Sequence, residues 1–217
     1  MMSRSPSLCA VILAAGESSR MGRDKALLPW PPAAPGQAAS TETFLSAAIR
    51  SLSPYNDMVF VVAGRNEANI SPVVYSNGAF VVTNPDPTRG QFSSLQIGLH
   101  EVLSRGRDAA MITLVDRPPL PTATIEILRD SFISATQRWK WAVIPEYKGK
   151  HGHPIIAGRE LMEAFLKADS SAIARDIEHE HQDKIEYFEV GDPLVAMNVN
   201  TPEDYAALAT LVTASLK

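Results

Sequence analysis

The residues able to do chemistry fall into four short runs. The densest is Leu13, Ala14, Ala15, Gly16, Glu17, Ser18, Ser19, Arg20, Met21, Gly22, Arg23, Asp24, Lys25. Small residues close an apolar stretch and cations follow, a pattern in which backbone N–H groups and basic side chains can cradle an anion. Arg20 offers phosphate oxygens a planar fork of donors, and Lys25 adds a mobile point charge. Neither the Gly-Lys-Ser/Thr of a P-loop nor Gly-x-Gly-x-x-Gly is present, so both common nucleotide motifs are excluded. The second run, Thr113, Leu114, Val115, Asp116, places a carboxylate at the end of an apolar stretch. Hard oxygen donors suit Mg2+, which makes Asp116 the metal candidate. Its alternative role, capping the helix after Pro121, fits Thr122 better. The third run, RGQFSSL at 89–95, offers Ser93 and Ser94 to the free donors of a helix start. The fourth combines Lys148, Lys150, His151 and His153 in one turn, where a phosphorylated group could dock.

Something must hold these runs together. Short apolar stretches rich in β-branched residues recur at 8–14, 58–62, 80–82, 111–115 and 142–144, and read as buried strands. Helical spacing lies between them: Phe44, Leu45, Ala48, Ile49 and Leu52, then Leu95, Leu99, Val102 and Leu103, then Ile125, Leu128 and Phe132. Alternation of this kind implies a mostly parallel sheet covered on both faces, with ligands at the carboxyl ends of its strands. Further strands are expected at 155–157 and 185–190, and helices at 161–166 and 202–216. Residues 29–40, PWPPAAPGQAAS, read as a loop.

Composition bounds the rest. A chain of 217 residues suits one large domain, split into a half at about 1–120 that carries the first three runs and a half at about 121–217. The formal charge of −4 argues against a surface built to neutralise nucleic acid. Cys9 is the only cysteine, which excludes an intramolecular disulfide or a cysteine-based zinc cluster and fits a reducing cytoplasm. The first apolar run is too short for a membrane span and runs into a glycine turn, so no membrane partner is expected.

The run LAAGESSRMGRDKALLP resembles the signature of nucleotidyltransferases with a three-layer α/β/α, Rossmann-like, glycosyltransferase-A-like fold. It is most similar to the MocA and MobA group, which attaches CMP or GMP to molybdopterin. The resemblance implies that Leu13, Ala14, Ala15, Gly16 and Ser18 bind the nucleotide, and that Arg20, Lys25 and Asp116 are catalytic. VDRPPL is similar to the family's metal-binding Asp before a proline segment. RGQFSSL resembles Gly-x-x-x-Ser-Leu, which implies nucleotide contacts at Gly90 and Ser94. HGHP resembles the Gly-His-Pro element of the acceptor side, which implies that Lys150, His151 and His153 hold the acceptor. NVNTPED matches Asp-Ile-Asp-Thr-Pro-Glu-Asp except that Asn198 and Asn200 replace both leading aspartates. The amide oxygen of Asn200 could still join Asp116 on the metal, without a carboxylate's charge. Thr201 then caps a helix that Pro202 begins, with Glu203 and Asp204 favourable to its dipole.

The implied reaction is attack by an acceptor phosphate on the α-phosphorus of a nucleoside triphosphate, with Mg2+, or Mn2+ in its place, and release of pyrophosphate. Ala15 points to CTP, since guanylyl-transferring relatives tend to carry glycine there. Molybdopterin is the implied acceptor, another phosphorylated metabolite the alternative, and a molybdoenzyme or its chaperone a further partner. A guanylyltransferase, a sugar-phosphate nucleotidyltransferase and a non-catalytic cofactor-delivery protein are the competing readings. Cys9, Trp30, Trp139 and Trp141 read as packing residues, and His179 and His181 lack other ligands at metal spacing.

Overall fold

The structure, a computed structural model, describes residues 6–33, 38–169 and 171–215. The strands β1 (Leu8–Leu13), β2 (Met58–Ala63), β3 (Phe80–Thr83) and β4 (Ala109–Leu114) lie parallel in the order β3-β2-β1-β4. The next strands are β5 (Ala142–Tyr147), β6 (Lys150–His151), β7 (Ile155–Gly158) and β8 (Ile185–Glu189). β7 runs antiparallel between β4 and β5. β8 lies parallel to β5 on its other edge, and the short β6 shares the β7 edge, since Glu146 pairs with both His151 and Glu189. One mostly parallel sheet therefore joins both halves of the chain through the β4–β7 pairing.

All six residues of β1 are buried, and they alternate between two cores. Ala10 and Ile12 enter one core with Leu45, Ile49, Ile70, Val74, Ile125 and Leu128. Those partners come from α1 (Phe44–Leu52), α2 (Glu67–Ser76) and α4 (Thr122–Thr136). Cys9, Val11 and Leu13 enter the other core with Leu95, Leu99, Leu161, Phe165 and Ile177, which come from α3 (Gln91–Ser104), α5 (Arg159–Lys167) and α6 (Ala174–Glu180). A strand buried on both sides needs a helical layer on each, so the three-layer α/β/α arrangement follows from the β1 sequence itself. A third, smaller cluster joins Met21, Leu28, Phe44, Val199 and Leu208, and packs α7 (Pro202–Ser215) against the segment after β1. No helix among the described residues is long and apolar enough to cross a membrane.

Three expectations change. β3 is a sheet edge and only partly covered, with Phe80 exposed, so its apolar run does not mark a buried strand. Thr122 is the first residue of α4 and caps nothing; Pro121 precedes it with no side-chain cap. Trp139 is 85% exposed and sits at φ 60°, because the chain must turn sharply out of α4 into β5. Trp30 and Trp141 do pack, against Phe44 and His181. Of the long loop, residues 34–37 lie outside the described residues, and Pro29 makes an isolated bridge to Thr43. The Cys9 thiol is wholly buried, and burial pushes its pKa up to about 11. The last two residues of the expected 202–216 helix and tail, 216 and 217, also lie outside the described residues.

Candidate active site

The turn after β1 is built by short-range hydrogen bonds that aim one lysine. Ser18 takes a left-handed φ of 51° to start the 3-10 turn Ser19–Met21, which Gly22 closes at φ 72°. Asp24 caps a second 3-10 turn, Lys25–Leu27, by accepting from the Ala26 N–H at 3.0 Å. Asn66 clamps the two ends, donating to the Ala14 carbonyl at 3.0 Å and to Asp24 Oδ2 at 2.8 Å. Ser18 Oγ accepts from the Lys25 N–H at 3.2 Å. The side chain of Lys25, a residue only 9% exposed, is thereby directed across the end of β1 toward β4.

There its Nζ donates to Asn200 Oδ1 at 2.8 Å and lies 3.5 Å from Asp116 Oδ2. Arg20 Nη2 reaches the same amide oxygen at 3.4 Å. The segment carrying Asn200 is held beside β4 by the Val199 N–H donating to the Asp116 carbonyl at 2.8 Å. Asp204 accepts from the Asn200 and Thr201 N–H groups at 2.8 and 3.0 Å, which holds its carboxyl below the usual range, while Thr201 Oγ1 caps α7. Three segments far apart in sequence thus bring Arg20, Lys25, Asp116 and Asn200 to one point.

That point borders a cavity of about 280 Å³ at the carboxyl ends of β1 and β4, where an open α/β sheet is expected to bind its ligand. Leu13, Ala15, Gly16, Ser18, Gly90 and Ser94 all line it. Ala14 does not: it is buried in the core, and its N–H donates to the Val62 carbonyl. Gly16 needs no unusual backbone angle, but a Cβ there would meet nothing within 4 Å, so its contribution is open space facing the cavity. Ser94 Oγ accepts from Asn84 Nδ2 at 2.9 Å, leaving its own proton for another acceptor.

A second cavity of about 500 Å³ adjoins the first, sharing Leu13, Gly90, Gln91 and Leu114. His151 and His153 line it; Lys150 does not, because it lies exposed on the β5–β6 hairpin, whose turn residues Lys148 and Gly149 have φ of 49° and 77°. The His151 ring stacks on Tyr187 at 4.3 Å, with Nε2 3.4 Å from Glu146. His153 differs from the cationic group expected of it. Its Nδ1–H points to the Ile112 carbonyl at 3.3 Å, and burial, then the Arg117 charge, press its pKa down to about 3. It is a neutral imidazole there, and the cations of this cavity are arginines: Arg89, Arg117 and Arg175. Asn66 and Asn84 carry no motif in the sequence, and Arg117 lies inside VDRPPL without a role of its own. Only the fold, which sets each beside its partners, makes them visible.

A family model described as the MobA-like NTP transferase domain matches residues 10–185, most of the chain, a span that contains every residue lining the two cavities but not Asn200. The chain belongs to this family. The molybdenum cofactor cytidylyltransferase of Escherichia coli (strain K12) is 26% identical to it over 198 residues, 90% of this chain and 92% of that protein. A probable molybdenum cofactor guanylyltransferase of Rhodopirellula baltica is 28% identical over 206 residues, 92% of this chain and 90% of that protein. In fold, the crystal structure of Rv0371c from Mycobacterium tuberculosis H37Rv matches with a TM-score of 0.75 at 23% identity, covering 94% of this chain and 98% of that one. The manganese complex of Rv0371c matches at 0.72 and 21%, with the same coverage. This MobA-like chain is a nucleotidyltransferase by family.

The donors present fit a hard divalent ion. Asp116 Oδ1 is buried without a hydrogen-bond partner among the described residues, and Asn200 Oδ1 shares Lys25 Nζ with Asp116 Oδ2. No group of three or more His, Cys, Asp or Glu side chains gathers as a cage among the described residues. One carboxylate and one amide oxygen still suffice for Mg2+ or Mn2+, which complete their shells with water and substrate phosphates.

Proposed function

We propose that this MobA-like domain transfers CMP from CTP to the phosphate of molybdopterin. The observation that carries this reading is the convergence of Arg20, Lys25, Asp116 and Asn200 beside the cavity formed by the glycine turn and the start of α3, which Lys25 and Asp116 line and Arg20 and Asn200 do not. Asp116 and Asn200 would hold Mg2+, which when bound screens the charge of the triphosphate. Arg20 and Lys25 neutralise the transferring and leaving phosphates, a role that needs donors fixed in place before reaction. The acceptor phosphate is already an anion, so no side chain need remove a proton from it; a neutral His153 agrees with that. An acceptor oxygen bonds to the α-phosphorus, the bond from that phosphorus to the bridging oxygen breaks, and pyrophosphate leaves with the bonding pair.

Ala15 supports CTP. It lines the cavity, where its methyl group takes space that a glycine would leave for a larger base. One methyl group is worth about 1–3 kcal/mol of discrimination. Thermal shift with each nucleoside triphosphate and Mg2+, followed by pyrophosphate release with isolated molybdopterin, tests the reading. Stabilisation and turnover are expected with CTP. Selective response to GTP overturns the base, and nucleotide binding with no turnover under Mg2+ or Mn2+ overturns the transfer.

A further inference from the structure

The larger cavity holds charges that the transfer chemistry above does not use. Its apolar walls include Phe92, Leu95, Phe165 and Ile173, and among its lining are three guanidinium groups and one acid, Glu178. Arg89 and Arg175 are exposed. Arg117 is not: its Nε is buried with no hydrogen-bond partner, and its one side-chain hydrogen bond among the described residues runs from Nη1 to the Met197 carbonyl at 3.3 Å. A desolvated cation with donors left over is unfavourable unless an anion completes it. Glu178 is its counterpart on α6. It makes no hydrogen bond or close ion pair among the described residues, and burial raises its carboxyl pKa against the pull of Arg175 and then His179. Glu178 reaches the cavity from α6, while Arg117 reaches it from the turn after β4.

We propose that Arg117 and Glu178 are the two ends of the acceptor's frame. Arg117 takes the acceptor's phosphate, and Glu178 accepts two parallel N–H bonds from the amino-amide edge of a flat heterocycle held between the apolar walls. The inference rests on the reading of this cavity as the acceptor site. A phosphate on Arg117 lies one residue from Asp116, which puts the nucleophilic oxygen beside the triphosphate cavity. A carboxylate matches adjacent ring N–H and exocyclic amine donors in bidentate fashion, and it rejects a ring that presents a carbonyl at the amine position.

Three fluorescent probes separate these contacts: 6-hydroxymethylpterin monophosphate, the same pterin without phosphate, and the corresponding lumazine monophosphate, which carries oxygen in place of the 2-amino group. Arg117→Met is expected to weaken the phosphorylated pterin at least about tenfold and the unphosphorylated one by less than about twofold. Glu178→Gln is expected to weaken both pterins about fivefold or more while leaving lumazine monophosphate unchanged. If Arg117→Met fails to fold by thermal melt, Arg117→Lys carries the same test, since it keeps the charge and loses the fork. Equal loss of both pterins in the Arg117 variant, or a Glu178→Gln loss shared by the lumazine, overturns the inference. A wild-type chain that binds CTP or GTP with Mg2+ but none of the probes overturns it while sparing the nucleotidyl-transfer reading; a chain that binds neither nucleotide overturns that reading instead.

Discussion

Lys25 Nζ lies 2.8 Å from Asn200 Oδ1 and 3.5 Å from Asp116 Oδ2, the two side chains proposed to hold a metal. On that proposal an ammonium group and a divalent ion compete for the same pair. Metal loading would release Lys25, and a bound triphosphate would receive the freed ammonium. Lys25→Met is accordingly expected to have two effects of opposite sign. Turnover falls about a hundredfold or more, as when a fixed transition-state donor is lost. Affinity for Mn2+ without nucleotide, read by electron paramagnetic resonance, rises, because one competing charge has gone. Unchanged or weaker Mn2+ binding would show that Lys25 and the metal do not share these oxygens. Much of this site was legible as residue types: a cationic glycine turn and a strand-end acid announce themselves. The residues that aim them were not. Asn66 works through hydrogen bonds to Ala14 and Asp24, 52 and 42 positions away, and a lone asparagine in a helix-start context has no reason to stand out. Arg117 was visible only as the unremarked neighbour of Asp116, since what distinguishes it is burial.

At the scale of elements, α3 matters most, because its first turn lines both cavities through Gly90 and Gln91. It can lie so close to the sheet because of Gly98, where a Cβ would sit 2.6 Å from Val11 Cγ1 and 3.0 Å from Val62 Cγ2. Gly98→Ala would gain helix propensity yet force α3 off β1 and β2, for a net loss of about 1–2 kcal/mol in urea unfolding. Weaker nucleotide binding should accompany it; a stabilised variant would mean that α3 has room to spare. The turn from α4 to β5 works the other way. Trp139 holds φ 60° while exposing most of its ring, so Trp139→Gly removes a left-handed strain and gives up little burial. After the entropy cost of glycine, a gain of roughly 0.5–1 kcal/mol is expected, read as a higher Tm, and a lower Tm would show that the indole packs after all. Both features explain why elements were easier to read than their ends. Apolar periodicity reports which face is buried, as it did for β1 and α3, whereas helix caps and turn conformations depend on a partner. Thr122 looked like a cap until α4 was seen to start on it, and Thr124 instead donates to Asp192 at 2.8 Å.

Across the whole molecule the net charge is −4, yet Lys25, Arg89, Arg117 and Arg175 line two adjoining cavities against only Asp116 and Glu178, and a low-dielectric cleft with that lining draws anions more strongly than the overall charge suggests. The seam between those cavities depends on a pairing that no local pattern announces: β7 enters antiparallel between β4 and β5 and brings the His151–Pro154 turn against the end of β4. His153 sits in that seam, donating to the Ile112 carbonyl, and its pKa of about 3 ties its protonation to the integrity of the sheet. The sign follows from comparing states. The folded chain keeps this imidazole neutral down to about pH 3, whereas in the unfolded chain it takes up a proton near its ordinary 6.5. The unfolded state therefore binds more protons in that window, and the contribution of His153 to stability is complete above it and is lost as pH falls through it, by at most about 1.4 kcal/mol per pH unit. His153→Asn keeps an N–H for the Ile112 carbonyl and removes the titration. The wild-type Tm is expected to fall more steeply than that of the variant between about pH 6.5 and pH 4.5, above the range where carboxylates dominate. Parallel pH profiles would place the imidazole in water and separate His153 from the seam.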